Sequence, residues 1–121
     1  MKKTLVIGAS TKPSRYSYIA VHRLVKYGHE VVAIGLREGT VAGIPIVREK
    51  LIFQNIDTVT LYIGPKHQPE YYDYIIELKP RRVIFNPGTE NETFYKLLVE
   101  NNIIAEVACT LVLLGTNQYE T

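Results

Sequence analysis

Short runs of apolar, β-branched residues alternate along the chain with stretches whose apolar positions recur at helical spacing. Leu5-Val6-Ile7, ending at Gly8, is the first predicted strand. Val31-Val32-Ala33-Ile34, ending at Gly35, is the second. Thr58 to Ile63, ending at Gly64-Pro65, is the third. Val83-Ile84-Phe85, ending at Asn86-Pro87-Gly88, is the fourth, and Ile103-Ile104-Ala105 the fifth. Near-continuous apolar strands suit a sheet covered on both faces. Between the first two, Ala20, Val21, Leu24 and Val25 make a helical stripe, with Gly28 placed to stop it. Between the third and fourth, Tyr71, Tyr72, Ile75, Ile76 and Leu78 make another, stopped by Pro80, with Tyr74 off the stripe. Before the fifth, Thr89 and Glu92 have capping-box spacing ahead of Phe94, Leu97 and Leu98.

This alternation predicts a doubly wound α/β fold: a mainly parallel five-stranded sheet with helices on both faces. Residues 37–55 are harder to assign. Gly39, Gly43 and Pro45 mark turns, Ile44 to Val47 can form a short extra strand, and Glu49 to Gln54 a short helix. Cys109 to Leu114 reads as a last helix or strand, stopped by Gly115. The polar residues from Thr116 to Thr121 read as a frayed end. No repeat or linker divides the chain, so residues 1–121 are expected to form one domain.

Composition narrows the function classes. The 121 residues, 46% hydrophobic and 21% charged, suit one folded domain and leave no room for a separate substrate domain. No apolar run reaches the ~20 residues of a membrane span. The start of the chain is too short and strand-like for a signal peptide, which makes a cytoplasmic, soluble protein the expectation. One cysteine excludes an internal disulfide framework. The formal charge of +2 hides an asymmetry. Residues 1–60 carry nine Lys/Arg against four acids, and residues 61–121 carry five against eight. A basic half suits a phosphorylated ligand, although solvated surface charge gives the same count.

In an open parallel sheet, ligands bind beyond the carboxyl ends of the strands, beside the switch point. That rule selects the loops Gly8 to Ser17, Gly35 to Gly39, Gly64 to Gln68 and Asn86 to Thr89. The first leads into a helix, whose N-terminal amides and partial positive charge favour phosphate. Ser10, Thr11, Ser14 and Ser17 add hydroxyls, and Lys12 and Arg15 add charge. Gly8 is the loop's only glycine, so it is neither G-x-G-x-x-G nor a Walker loop. After the second strand, Gly35-Leu36-Arg37-Glu38 offers Arg37 where NAD-specific folds usually carry an acid. Arg37 favours a ribose with an extra phosphate, as in NADP or coenzyme A.

These residues also resemble a known family. V-I-G-A-S (Val6 to Ser10), Lys12-Pro13-Ser14-Arg15-Tyr16-Ser17 and Val41-Ala42-Gly43 are similar to the small stand-alone CoA-binding domains. So are Ile63-Gly64-Pro65, Asn86-Pro87-Gly88-Thr89-Glu90-Asn91 and Ala108-Cys109-Thr110-Leu111-Val112-Leu113. The resemblance runs from about Lys3 to Leu114, and extends to the domain that opens the succinyl-CoA synthetase α-subunit. It implies a Rossmann-type fold that binds CoA or acyl-CoA across the strand ends without established catalytic residues. Carried over, Gly8, Ala9 and Ser10 would lie against the phosphates, supported by Lys12, Arg15 and Ser17. Ile63, Gly64 and Pro65 would wall the adenosine or the pantetheine entry, and Asn86, Pro87 and Gly88 would line the far side. The family often has Asn-Pro where this chain has Gly35-Leu36, a departure for which Arg37 can compensate.

The remaining chemistry is sparse. Cys109 can be a nucleophile, a thiol that exchanges with CoA, or a small buried hydrophobe, and the last is the usual role. His22, His29 and His67 show no metal-ligand spacing, so no metal is expected. Acids surround Tyr71, Tyr72 and Tyr74 where RNA stacking wants Lys or Arg, so no nucleic acid is expected. The expected partner is a small-molecule nucleotide, with a homodimer or partner subunit left open. The leading expectation is non-catalytic binding of CoA or acyl-CoA. The alternatives are an NAD(P)-binding sensor or small oxidoreductase, and a subunit of a larger acyl-CoA enzyme.

Overall fold

The computed structural model describes residues 2–120. Its centre is β1 (Lys3–Ile7), flanked by parallel neighbours on both sides, β2 (Glu30–Ile34) and β5 (Ile56–Leu61). Beyond β5 lie β6 (Arg82–Phe85) and then β7 (Ile104–Val107), both parallel. Beyond β2 lies a hairpin of β4 (Ile44–Val47) and β3 (Gly39–Val41), giving the order β3-β4-β2-β1-β5-β6-β7. The chain therefore winds outward from β1 in both directions, and the switch point is at β1. The α/β character and the mostly parallel sheet match the expectation from the sequence. The strand number does not: the sheet has seven strands, and β3–β4 is an antiparallel pair. Its turn is Ala42-Gly43, both at positive φ (52° and 78°), the conformation of a tight two-residue hairpin. Three residues beginning with glycine carry too little apolar signal to reveal β3.

The helices cover both faces. On one, α2 (Tyr72–Leu78) and α3 (Glu92–Glu100) pack Ile75, Leu78, Phe94 and Leu98 onto Leu5, Leu61, Val83 and Phe85. On the other, α1 (Tyr16–Lys26) and α4 (Thr110–Gly115) pack Val21, Leu24 and Leu114 onto Val6, Ala33 and Ile84. Gly28, at φ 85°, ends α1 as anticipated.

Four local expectations are corrected. Glu49 to Gln54 forms no helix, because Leu51, Ile52 and Phe53 are contiguous rather than spaced, and Asn55 turns at φ 61°. Tyr74 is not off the buried face: its hydroxyl donates to Leu51 O at 2.5 Å, and burial together with nearby Tyr71 pushes its phenol up to about 12. Thr89 caps no helix. Its hydroxyl donates to Asn86 O, and α3 begins later, capped by Asn91, which accepts from Phe94 N at 3.1 Å. Finally, the chain end is not frayed at Tyr119, which is buried.

Tyr119 is held by Arg82, itself buried. The Arg82 guanidinium donates to Thr58 Oγ1 (2.9 Å), Glu106 Oε1 (3.0 Å) and Tyr119 O, and stands 4.5 Å from the centre of the Tyr119 ring. The Tyr119 hydroxyl shares a 2.6 Å hydrogen bond with Thr4 Oγ1. A buried cation is tolerable only with such saturation. Tyr119→Ala should therefore cost about 3 kcal/mol, read as a lower midpoint in equilibrium urea unfolding. A loss near zero would mean that the tail merely rests on the sheet.

A second cluster closes the start of β5. Asp57 accepts from Arg81 Nε (3.0 Å) and Thr58 Oγ1 (2.7 Å), with Lys2 Nζ at 3.6 Å. Burial works to raise its carboxyl, but the hydrogen bonds from Arg81 and Thr58 and the charges of Arg81 and Lys2 outweigh it, leaving the carboxyl below the usual range. A depressed folded value stabilises above the unfolded pKa, and this is lost as pH falls through the folded value. Melting temperatures measured from pH 7 down to pH 2 should fall more on the acid side in the wild type than in Asp57→Asn. Parallel curves for the two proteins would contradict it.

Candidate functional site

A cleft of about 690 Å³ opens beyond the carboxyl ends of β1, β2, β5 and β6. Its walls come from all four loops that the strand-end rule selects. The β1–α1 loop supplies Gly8, Ala9, Ser10, Thr11, Lys12, Ser14 and Arg15, and the first turn of α1 adds Tyr16 and Ser17. The other loops supply Leu36 and Arg37, then Ile63 and Gly64, then Pro87, Gly88 and Thr89, with Tyr62 beneath. Among the described residues lining it there are three cations (Lys12, Arg15 and Arg37) and no carboxylate, and none of the three cations is in an ion pair.

Backbone packing at the end of β1 holds the cleft open. The amides of Gly8 and Ala9 both donate to Ile34 O at 2.9 Å, so the loop leaves the sheet pinned to β2. Gly8 has φ 95°, and a Cβ there would stand 2.9 Å from the Tyr62 carbonyl. A Cβ on Gly35 would stand 2.3 Å from Ala9 O, less than any real contact allows. Both positions thus require glycine, for conformation in one case and for close approach in the other. Farther along, Lys12 N donates to Ser10 Oγ (3.1 Å) and Arg15 N to Lys12 O (3.0 Å). Arg15 then enters α1 as an extended N-cap without a side-chain cap, and no acid lies in the first turn. The helix start keeps its amide donors and partial positive charge toward the cleft.

Two buried amides fix the opposite wall. Gln68, fully buried between the short 3-10 turns Pro65–His67 and Pro69–Tyr71, donates to Ile63 O (3.0 Å) and Thr89 O (2.7 Å) and accepts from Asn91 Nδ2 (2.9 Å). It ties the β5 loop to the β6 loop. Asn86 donates to Thr60 Oγ1 (2.7 Å) and Leu61 O (2.8 Å) and accepts from Thr110 N (2.9 Å).

Eleven of the thirteen residues singled out from the sequence therefore line one cleft: Gly8, Ala9, Ser10, Lys12, Arg15, Ser17, Arg37, Ile63, Gly64, Pro87 and Gly88. Pro65 and Asn86 stand outside the lining. Pro65 opens the exposed turn, and the Asn86 amide is spent inside the fold. Tyr16, Leu36, Tyr62 and Thr89 also line the cleft and were not singled out as ligand contacts. Tyr62 had a signal, being the last polar-capable residue of a buried strand before a glycine. Its hydroxyl is buried, and burial pushes the phenol well up. Thr60 and Thr110 lie close enough to offset this in part, though neither stands in hydrogen-bond geometry.

Cys109 precedes α4, half-buried beside Tyr62, and is not in the cleft wall. His22 and His67 are exposed and His29 is buried near Glu120. Among the described residues, no three His, Cys, Asp or Glu converge as metal ligands, and no helix is long and apolar enough to cross a membrane.

The close approach at Gly35 is testable. Gly35→Ala should lower stability by about 1–3 kcal/mol in urea unfolding, by forcing β2 away from Ala9. Gly64→Ala, where a Cβ meets open space, should leave it unchanged. Equal effects would mean that the β1 loop is not wedged.

A family model described as a CoA binding domain matches residues 2–115. Among solved structures, the crystal structure of an uncharacterized protein is 48% identical, covers 98% of each chain and has a TM-score of 0.95. A hypothetical protein from Pyrococcus horikoshii OT3 is 25% identical over 97% of this chain and 83% of that one, with a TM-score of 0.86. A conserved hypothetical protein from Pyrococcus furiosus is 22% identical over 93% of this chain and 98% of that one, with a TM-score of 0.81, a likeness of fold alone. No match is found among the curated proteins.

Proposed function

The chain belongs to the CoA-binding-domain family, and on that premise we propose that it binds coenzyme A or acyl-CoA in this cleft without transforming it. The observation that carries the reading is the cleft's charge: three unpaired cations and no carboxylate, over the uncapped start of α1. Phosphates are the ligand groups that such a site selects. The diphosphate lies on the Gly8-Ala9-Ser10 backbone, with Lys12, Arg15 and Ser17 around it. Arg37 reaches the ribose phosphate. The pantetheine arm leaves past Ile63-Gly64 and over Pro87-Gly88, so an acyl group projects toward solvent. In favour of binding without catalysis, the hydroxyls of Ser10, Thr11, Ser14 and Ser17 share the described lining with no His, Asp or Glu that could serve as their general base.

Arg37 also suits the 2′-phosphate of NADP, which keeps a nucleotide sensor as the second reading. Calorimetric titration separates them: heat with CoA and none with NADPH is expected, and the reverse would overturn the proposal. Arg15→Glu and Lys12→Glu should each weaken CoA binding about tenfold or more, since charge-assisted phosphate contacts are worth ~1.5–3 kcal/mol. Unchanged affinity in both variants would place the ligand elsewhere.

A further inference from the structure

Two side chains in the cleft wall do not fit a purely phosphate-binding surface. Leu36 is 87% exposed and Tyr16 72% exposed, the highest values among the exposed large hydrophobics of the described residues. Both stand at the same cleft although they come from different loops. Each adjoins an arginine that lines the cleft too, as Arg15-Tyr16 and Leu36-Arg37. The pinned end of β1 brings the two loops that carry these pairs to one cleft: Ile34 O holds the Gly8 and Ala9 amides, and Gly35 lets β2 lie against Ala9.

Neither apolar side chain contributes to the core clusters, so folding gains almost nothing from them. Their apolar surface gains free energy only when a ligand covers it. A ligand that satisfies apolar faces and flanking cations at once is a flat, apolar-faced ring carried on a phosphorylated sugar. Resting on the reading of the cleft as a CoA site, we infer that Tyr16 and Leu36 form an apolar clamp for the adenine base. Arg15 and Arg37 take the phosphates on either side of its ribose. Tyr16 supplies an aromatic face for stacking and Leu36 an aliphatic cover. The clamp grips the nucleotide end of CoA and is indifferent to the acyl group, so free CoA and its thioesters bind alike.

The test uses the whole protein with CoA, 3′,5′-ADP and the fluorescent analogue 1,N6-etheno-CoA. Because both side chains are exposed, Tyr16→Ser and Leu36→Ser should melt like the wild type. Each should weaken CoA and 3′,5′-ADP by about tenfold or more, and Tyr16→Phe should retain affinity. Etheno-CoA emission should be quenched on binding the wild type, and less so at saturation of Tyr16→Ser. Wild-type affinity for 3′,5′-ADP in both serine variants, while CoA still binds the native protein, would overturn the clamp and leave the CoA reading standing. Native protein that binds neither CoA nor 3′,5′-ADP would overturn both.

Discussion

One carbonyl organises the molecule's working edge. Ile34 O, at the end of β2, accepts from both Gly8 N and Ala9 N, and so fixes where the chain leaves the central strand. The β1–α1 side of the cleft follows from that exit. The loop cannot rise away from β2, because Gly35 is packed against Ala9. The loop therefore stays against the strand ends, and the start of α1, Tyr16 and Ser17, lines the same cleft. Shared backbone hydrogen bonds are modest singly, ~1 kcal/mol each, but here their effect is positional. They place three cations and a helix start around one volume.

The opposite wall is held differently. There two buried primary amides tie the strand-end loops to each other and to the sheet. Gln68 and Asn86 each have both ends engaged, so neither costs an unsatisfied polar group. The far side of the sheet, at the strand beginnings, is closed by charge: Arg82 with Glu106 and the chain end, and Asp57 with Arg81 and Lys2. The strand beginnings thus carry paired charges, whereas the three cations that line the cleft, Lys12, Arg15 and Arg37, stand in no ion pair among the described residues.

The pattern of strands and helices was legible because buried parallel strands are continuous apolar runs ended by glycine. The candidate cleft was legible for the same reason, since ligands follow strand ends and the ends are marked. What escaped notice lacks a local signal. Of the β3–β4 hairpin, the turn at Gly43 and the strand Ile44–Val47 were anticipated, whereas β3 was not, since its pairing depends on Ala42 at positive φ, a residue with no sequence cue for that conformation. The burial of Arg82 and Tyr119 depends on partners far apart in the chain, Thr4, Thr58 and Glu106. Asn86 looked like a ligand contact because it sits in a turn-rich motif at a strand end. Its side chain is instead consumed by Thr60, Leu61 and Thr110, a fact only three-dimensional neighbours decide. Leu36 was read as a departure from a family pattern; its exposure at the cleft mouth gives it chemical meaning.

The central claim is spatial: a CoA-type ligand occupies the cleft at the strand ends, against the pinned loop. Amide chemical-shift mapping by two-dimensional NMR during addition of CoA addresses it most directly. The account predicts shifts concentrated in residues 8–17, 36–37, 62–64 and 88–89, with the strand beginnings around Asp57 and Arg82 unmoved. Shifts centred on those strand beginnings or along β7, with residues 8–17 silent, would contradict it.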